Sequence, residues 1–166
     1  AHWAGKVLPD EAQWEAAASC DPATRRKQKY PWGDEPPTSG RAFFDADAPA
    51  PVGAHPKGAS PFGALDMAGN VAEWCLDAWR DDRWARLAES LAEKKKMWIE
   101  YVPLRFAQGA RGDDGGLVPF DPDDAEWAVR GGSFESGGSD LRTVARRGEG
   151  ERSRTVGFRC ALVPEK

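Results

Sequence analysis

The stretch "FGALDMAGNVAEWC", residues 62–75, carries the reading of the whole chain. Asp66 and Glu73 stand seven positions apart, on either side of Gly69-Asn70. A Gly-Asn pair permits a tight turn that aims carbonyls inward. Calcium takes several oxygen ligands, carboxylates and carbonyls together. Two acids around one turn repel each other unless a cation lies between them. The residues alone leave a second account open, in which Asp66 caps a turn and Glu73 is a surface acid. Trp74 and Cys75 read as core, because no His or Lys stands near that thiol in sequence and a reactive thiol of low pKa needs such a neighbour.

Outward from this stretch, the chain alternates short regular elements with long loops. "LPDEAQWEAAA" (8–18) predicts a helix, with Asp10 and Gln13 forming a capping box, Pro9 blocking extension backwards, and Trp14, Ala17 and Ala18 on one face. Residues 20–62 are dense in Pro, Gly and Ser yet carry Trp32, Phe43, Phe44 and Phe62, which are expected to pin an ordered loop to the core. His55 reads as a surface histidine, and Asp45 and Asp47 as turn acids. Residues 80–99 are the strongest helix candidate, with Trp84, Leu87 and Leu91 at helical spacing, acids at the start and Lys94, Lys95 and Lys96 near a solvated end. Residues 108–116 read as an exposed loop. "EWAVRGGSF" (126–134) and "TVGFRCALV" (155–163) each predict a short strand, and the segment between them is polar, rich in Gly and Arg.

The bulk numbers agree with a single domain. The chain has 166 residues, 40% apolar and 30% charged, with a formal charge of −4. That is globular composition, and no apolar run reaches the ~20 residues of a membrane span, so membrane insertion is not expected. The charge is mildly acidic and dispersed, so neither is a nucleic-acid partner. Eighteen glycines, thirteen prolines and eight tryptophans point to many turns anchored by large rings. Three widely spaced cysteines are no disulfide framework and read as buried thiols, and two histidines make a His-based metal centre within this chain an unlooked-for outcome.

"WAGKVLPDEAQWEAAA", "YPWGDE", "PVGAHPKGASPFGALDMAGNVAEWC", "VRGGSF" and "GFRCAL", in this order, resemble the formylglycine-generating-enzyme (sulfatase-modifying-factor) superfamily. The likeness runs from Trp3 to about Val163 as one domain over 1–166, with a poorly matched insertion at 80–124. It implies a C-type-lectin-like α+β fold, loop-rich and low in regular secondary structure. It also implies that a further N-terminal portion of the same domain precedes "WAGK". A structural calcium ion is implied at Asp66, Gly69, Val71 and Glu73, through side chains of the two acids and carbonyls of the other two. The family's second calcium site is expected to be lost, since Phe43 stands near the position of its Asn ligand. No copper is expected: true formylglycine-generating enzymes carry two cysteines shortly after RGGS, whereas here Arg130-Gly131-Gly132-Ser133-Phe134 is followed by Glu135, Ser136, Gly137, Gly138, Ser139 and Asp140. The superfamily's ergothioneine-synthesis branch holds iron through histidines that lie largely in a separate preceding domain.

The family places substrate or ligand on the surface after RGGSF. Here that surface offers Glu135, Ser136, Ser139, Asp140, Arg142, Arg147, Arg152, Ser153, Arg154 and Thr155. Arginines there suit carboxylates or phosphates through bidentate contacts, while Arg142 and Arg146 are equally readable as partly buried ion-pair members. The resemblance implies a non-catalytic module that binds a protein or small-molecule ligand at 135–155. The variable proteins of diversity-generating retroelements use the same scaffold and diversify this segment. The alternative is an oxygen-dependent, non-haem-metal oxidoreductase whose metal ligands lie outside this chain.

Overall fold

The structure is a computed structural model that describes residues 4–79 and 126–162. The helix expected at 80–99, the loop at 108–116 and the whole of the 80–124 insertion lie outside the described residues. Helix α1 spans Glu11–Ser19 and starts as its sequence dictates. Asp10 Oδ1 accepts from the Gln13 amide at 2.7 Å, and Gln13 Oε1 accepts from the Asp10 amide at 3.0 Å. It ends where Cys20 turns extended. Its inward face carries Trp14 and Ala18, which pack with Met67, Cys75 and Ala128.

The sheet contains β1 (Ala72–Ala78), β2 (Trp127–Arg130), β3 (Arg146–Glu149) and β4 (Val156–Gly157), in the order β3-β2-β1-β4. The β1–β2 and β2–β3 pairs are antiparallel and β1–β4 is parallel. Glu73 lies opposite Arg130, and the β1–β2 register slips between Trp74 and Ala78. At the far end of this pair the Trp79 amide donates to the Glu126 carbonyl at 3.0 Å. Early and late chain meet where Val7 and Ala161 exchange backbone hydrogen bonds of 3.1 and 2.8 Å.

Strand alternation sorts the residues of the opening stretch. Glu73, Cys75 and Asp77 point inward and are buried; Trp74 is half-buried, so only the thiol of the expected Trp-Cys pair lies fully in the core. Burial pushes the Cys75 thiol well above its ordinary value, which makes it inert. Of the other two expected buried thiols, Cys20 is half-buried and Cys160 exposed.

Gly69 and Asn70 take left-handed φ angles of 78° and 62°, and three chain segments meet on their backbone. Gly69 N–H donates to the Gly131 carbonyl at 2.9 Å, Asn70 N–H to the Phe43 carbonyl at 2.7 Å, and Phe134 N–H to the Asn70 carbonyl at 2.7 Å. The Asn70 side-chain oxygen accepts from the Ala50 amide at 3.0 Å. The Gly-Asn turn thus ties the long loop to the segment after β2.

A second core cluster, Tyr30, Ala42, Ala68 and Leu141, is flanked by Trp32 and Phe44. The Phe43 ring stacks on His55, leaving that histidine half-buried rather than free on the surface. Phe62 does not pin the loop: it is 59% exposed, because it sits in a tight turn closed by Gly63 N–H donating to the Ser60 carbonyl at 2.8 Å.

Candidate functional site

Beneath the sheet lies a buried ionic cluster. Glu11 and Glu15, one turn apart on α1, are both buried. Arg130, at the end of β2 and 1% exposed, donates to Glu11 Oε2 at 3.1 Å, to Glu15 Oε2 at 2.6 Å and to the Thr143 carbonyl at 2.8 Å. Its guanidinium stands 5.3 Å from the Trp14 ring. Arg146, its cross-strand partner, grips Glu11 with two bonds of 2.7 Å, and Lys27 reaches Glu15 at 2.5 Å. Asp77 Oδ2 accepts from the Glu11 amide at 2.5 Å. Burial alone would raise the Glu15 carboxyl pKa, but the Lys27 and Arg130 hydrogen bonds outweigh it and hold it below 4.5. The cluster locks α1 against β2 and β3 and so fixes the direction in which Arg130-Gly131-Gly132-Ser133 leaves the sheet. Sequence reasoning singled out neither Glu11 nor Glu15. The available signal was a pair of acids at i, i+4 on a helix whose other residues are four Ala, Gln13, Trp14 and Ser19.

A second ionic contact closes the opening stretch. Arg159 donates from Nε to Glu73 Oε2 at 2.5 Å, from Nη2 to Glu73 Oε1 at 2.7 Å, and from Nη2 to the Leu65 carbonyl at 3.0 Å. Trp14 Nε1 donates to Glu73 Oε2 at 2.7 Å. Trp14 therefore bridges the two ionic groups, with Arg130 over its face and Glu73 at its edge. Asp66, at φ 54°, accepts from the Gly53 amide through Oδ2 at 2.7 Å. As arranged, the expected calcium set offers one carboxylate not already held by a guanidinium, that of Asp66. Calcium takes six to eight oxygens, and this donor set does not fit it while Arg159 holds Glu73. No group of three or more His, Cys, Asp or Glu suited to a metal occurs among the described residues.

The ten candidate residues at 135–155 divide by position. Ser136, Ser153 and Thr155 belong to the frame. Ser136 Oγ accepts from the Ser133 amide at 2.9 Å, Ser153 Oγ lies 2.8 Å from Thr155 Oγ1, and the Thr155 carbonyl accepts from the Ala72 amide at 2.9 Å. Thr155 is buried. Glu135 and Arg154 form an exposed ion pair, and Arg154 also donates to the Asp47 carbonyl at 3.3 Å, with its guanidinium 5.5 Å from the buried Phe134 ring. Asp45, Ala46, Asp47 and Glu135 line an open surface cavity of about 300 Å³, so the two turn acids join Glu135. Asp140 and Arg147 line a different cavity, of about 180 Å³. Ser139, Arg142 and Arg152 are exposed, Arg142 Nε donating to the Ser139 carbonyl at 2.8 Å. Of the two arginines open to either account, Arg146 is the ion-pair member and Arg142 is the surface one.

A family model described as "Sulfatase-modifying factor enzyme 1-like domain" matches residues 1–163. The chain belongs to this family. Its α+β, loop-rich frame is the family's C-type-lectin-like fold. Among characterised relatives, "Hercynine oxygenase" of Mycolicibacterium thermoresistibile is 55% identical over 76 residues, covering 45% of this chain and 17% of that protein. "Hercynine oxygenase" of Mycobacterium tuberculosis is 51% identical over 119 residues, covering 69% and 24%. "Serine/threonine-protein kinase pkn1" of Chlamydia caviae is 36% identical over 163 residues, covering 97% and 22%. The chain thus spans less than a quarter of each of these relatives. Two solved structures share the fold: a Treponema denticola variable protein, with TM-score 0.58, 22% identity and 96% and 48% of the two chains covered, and PvdO from Pseudomonas aeruginosa, with 0.60, 21%, 92% and 51%.

Proposed function

We propose that this chain is the recognition domain of a longer protein, binding a polar ligand or a protein segment on the face built from 135–154 and the 45–47 loop. One observation carries the reading. The exposed Glu135–Arg154 pair and the acids Asp45 and Asp47 are mounted on a rigid frame, because Phe134 is fully buried and Ala46 N–H donates to the Phe134 carbonyl at 2.7 Å. Functional polar groups on loops held by a fixed scaffold are the usual layout of a binding face. Diversification of this segment by a retroelement is a finer form of the reading, and a near-identical template repeat beside a reverse-transcriptase gene is the observation that would assign it.

A second reading is favoured by the 51% identity to a hercynine oxygenase over 119 residues. In it, this domain presents substrate to a redox metal held elsewhere in the longer protein. The two separate on the full-length protein. Metal analysis with oxygen uptake, using hercynine plus a thiol and, separately, a sulfatase-type cysteine peptide, is expected to give no stoichiometric iron or copper and no uptake. Bound redox metal with substrate-dependent uptake would replace the first reading with the second.

The proposal extends to the opening stretch: Arg159, rather than calcium, supplies the positive charge at Glu73. The thermal midpoint in excess chelator is expected to equal that in millimolar calcium. A calcium-dependent rise would show ligand-linked stabilisation and restore the calcium site at Asp66, Gly69, Val71 and Glu73.

A further inference from the structure

Residues 20–27 form a tight hairpin off the end of α1, closed by an antiparallel bridge between Cys20 and Lys27. Its returning arm is basic: Arg25, Arg26, Lys27 and Lys29 are four cations in five positions. Backbone bonds hold it. Asp21 N–H donates to the Arg26 carbonyl at 3.0 Å, Arg25 N–H to the Asp21 carbonyl at 2.8 Å, and Gln28 N–H to the Ser19 carbonyl at 2.9 Å. The arm then meets the segment after β2. The Lys29 carbonyl accepts from the Thr143 amide at 2.9 Å, and the Gln28 carbonyl from Thr143 Oγ1 at 2.7 Å. Thr143 is buried and Arg142 beside it is exposed, so Arg142 points outward where its segment adjoins Lys29.

These cations differ from the others in how they are paired. Among the described residues, Arg41, Arg130, Arg146, Arg147, Arg154 and Arg159 each pair with a carboxylate. The described arginines that do not are Arg25, Arg26, Arg142 and Arg152, and the first three belong to this hairpin and the segment bonded to it. Lys29 is exposed and has no carboxylate either; its Nζ stands 5.4 Å from the Tyr30 ring. Arg142 spends Nε on the Ser139 carbonyl and leaves its terminal nitrogens to solvent. Two of the acids nearby are already engaged. Asp21 accepts from the Ala23 amide and Thr24 Oγ1, each at 2.8 Å, and Asp34 from the Lys29 amide at 3.0 Å. Asp140, two positions before Arg142, is exposed.

We infer that this strip docks an acidic segment of a partner protein, rich in Asp or Glu and lying extended along it. The guanidinium groups of Arg25, Arg26 and Arg142 take its carboxylates two bonds at a time. From Arg25 to Lys29 the chain reaches at most about 14 Å, so the complement is about four extended residues. The occupant is narrow, because Asp21, Asp34 and Asp140 stand beside the cations and repel a broad polyanion such as a membrane surface or a nucleic acid. The formal charge of −4 acts the same way at longer range. The inference goes beyond the recognition reading: of the cations it uses, only Arg142 belongs to 135–154, and the Glu135–Arg154 pair takes no part.

The test titrates a dye-labelled oligoglutamate peptide with the full-length protein and reads fluorescence anisotropy. Saturable binding that weakens as salt is raised is expected, since exposed pairs are screened. The double variant Arg25→Gln/Arg26→Gln is expected to weaken it by about tenfold, the loss of two exposed charge pairs, and Arg142→Gln by about threefold. Lys57→Gln removes one exposed charge outside the strip and is expected to leave it unchanged. Because all these side chains are exposed, each variant is expected to keep the wild-type urea midpoint. Absence of saturable binding, unchanged affinity in the double variant, or equal losses in Lys57→Gln and Arg142→Gln overturns the inference. So does tighter binding to phosphatidylserine vesicles or to single-stranded DNA than to oligoglutamate. If a ligand is found on the Glu135–Arg154 face while oligoglutamate does nothing, only this inference falls. If oligoglutamate binds as expected and the protein also turns over oxygen, the recognition reading falls and the basic strip stands.

Discussion

Arg130→Met lowers the unfolding free energy by about 3 kcal/mol, measured from the urea midpoint with the slope unchanged. Removing one member of a buried ion pair typically costs about 3–5 kcal/mol, because the remaining charge is left in a low-dielectric site. The lower end applies here, since Arg146 still holds Glu11 and Lys27 still holds Glu15. Lys27→Ala is the contrasting control: the Lys27 side chain is 63% exposed, and an exposed partner contributes little. The same cluster makes stability acid-sensitive. Glu15 has a folded pKa below the unfolded 4.5. A depressed carboxylate pKa contributes stability that is complete above the unfolded value and is lost as pH falls through the folded one. The urea midpoint of the wild type therefore drops as pH falls below about 4.5, and the drop is shallower in Arg130→Met. An Arg130→Met protein as stable as wild type at pH 7 would mean that Arg130 is not what holds α1 to the sheet.

Gly69→Ala is the second severe change, at about 2–5 kcal/mol. A left-handed φ costs a residue with a Cβ roughly 1–2 kcal/mol, and forcing atoms into packed space commonly adds about 1–3 kcal/mol. The added Cβ would lie 2.4 Å from the Phe43 carbonyl oxygen and 3.1 Å from its carbon, so backbone rather than a yielding side chain must move. That oxygen is the acceptor of the Asn70 amide, so the clash also disrupts the junction of three segments. Gly63→Ala separates the two contributions. Gly63 has nearly the same φ, 77°, but nothing within 4 Å of the added Cβ, so it should cost only the backbone share of roughly 1–2 kcal/mol. Equal losses in the two variants, compared by thermal and urea unfolding, would show that the Phe43 contact is immaterial.

What was legible in the sequence was local. Asp10 and Gln13 announce their helix start through chemistry three residues apart, and the β2 residues through a short apolar run. The Gly-Asn pair marks a tight turn, but its partners lie elsewhere in the chain and leave no local trace. The ionic clusters were illegible for the same reason. Glu11 and Arg130 are 119 residues apart, and Glu73 meets Arg159 across 86. Nothing in either neighbourhood says that a charge will be buried, because burial is decided by which elements the topology brings together. The candidate site was half legible. The 135–155 segment does contain the exposed polar face, yet Ser136, Ser153 and Thr155 were consumed in holding the loop, a role their side chains share with any exposed serine or threonine until coordinates assign it. Asp45 and Asp47 showed the reverse. They read as turn acids, and the loop's hydrogen bonds to Phe134 and Ser136 carry them alongside Glu135.

The pairing at the far end of β1 and β2 has one more consequence. Ala78 faces Trp127, and Trp79 is bonded to Glu126, so positions 79 and 126 sit side by side at the end of this strand pair. Because those two ends are clamped together, exchanging the intervening stretch for a longer or shorter one alters chain-closure entropy only logarithmically with length. The junction is thereby a graft point: the Trp79–Glu126 bond is expected to keep β1 and β2 paired whatever length of chain joins them.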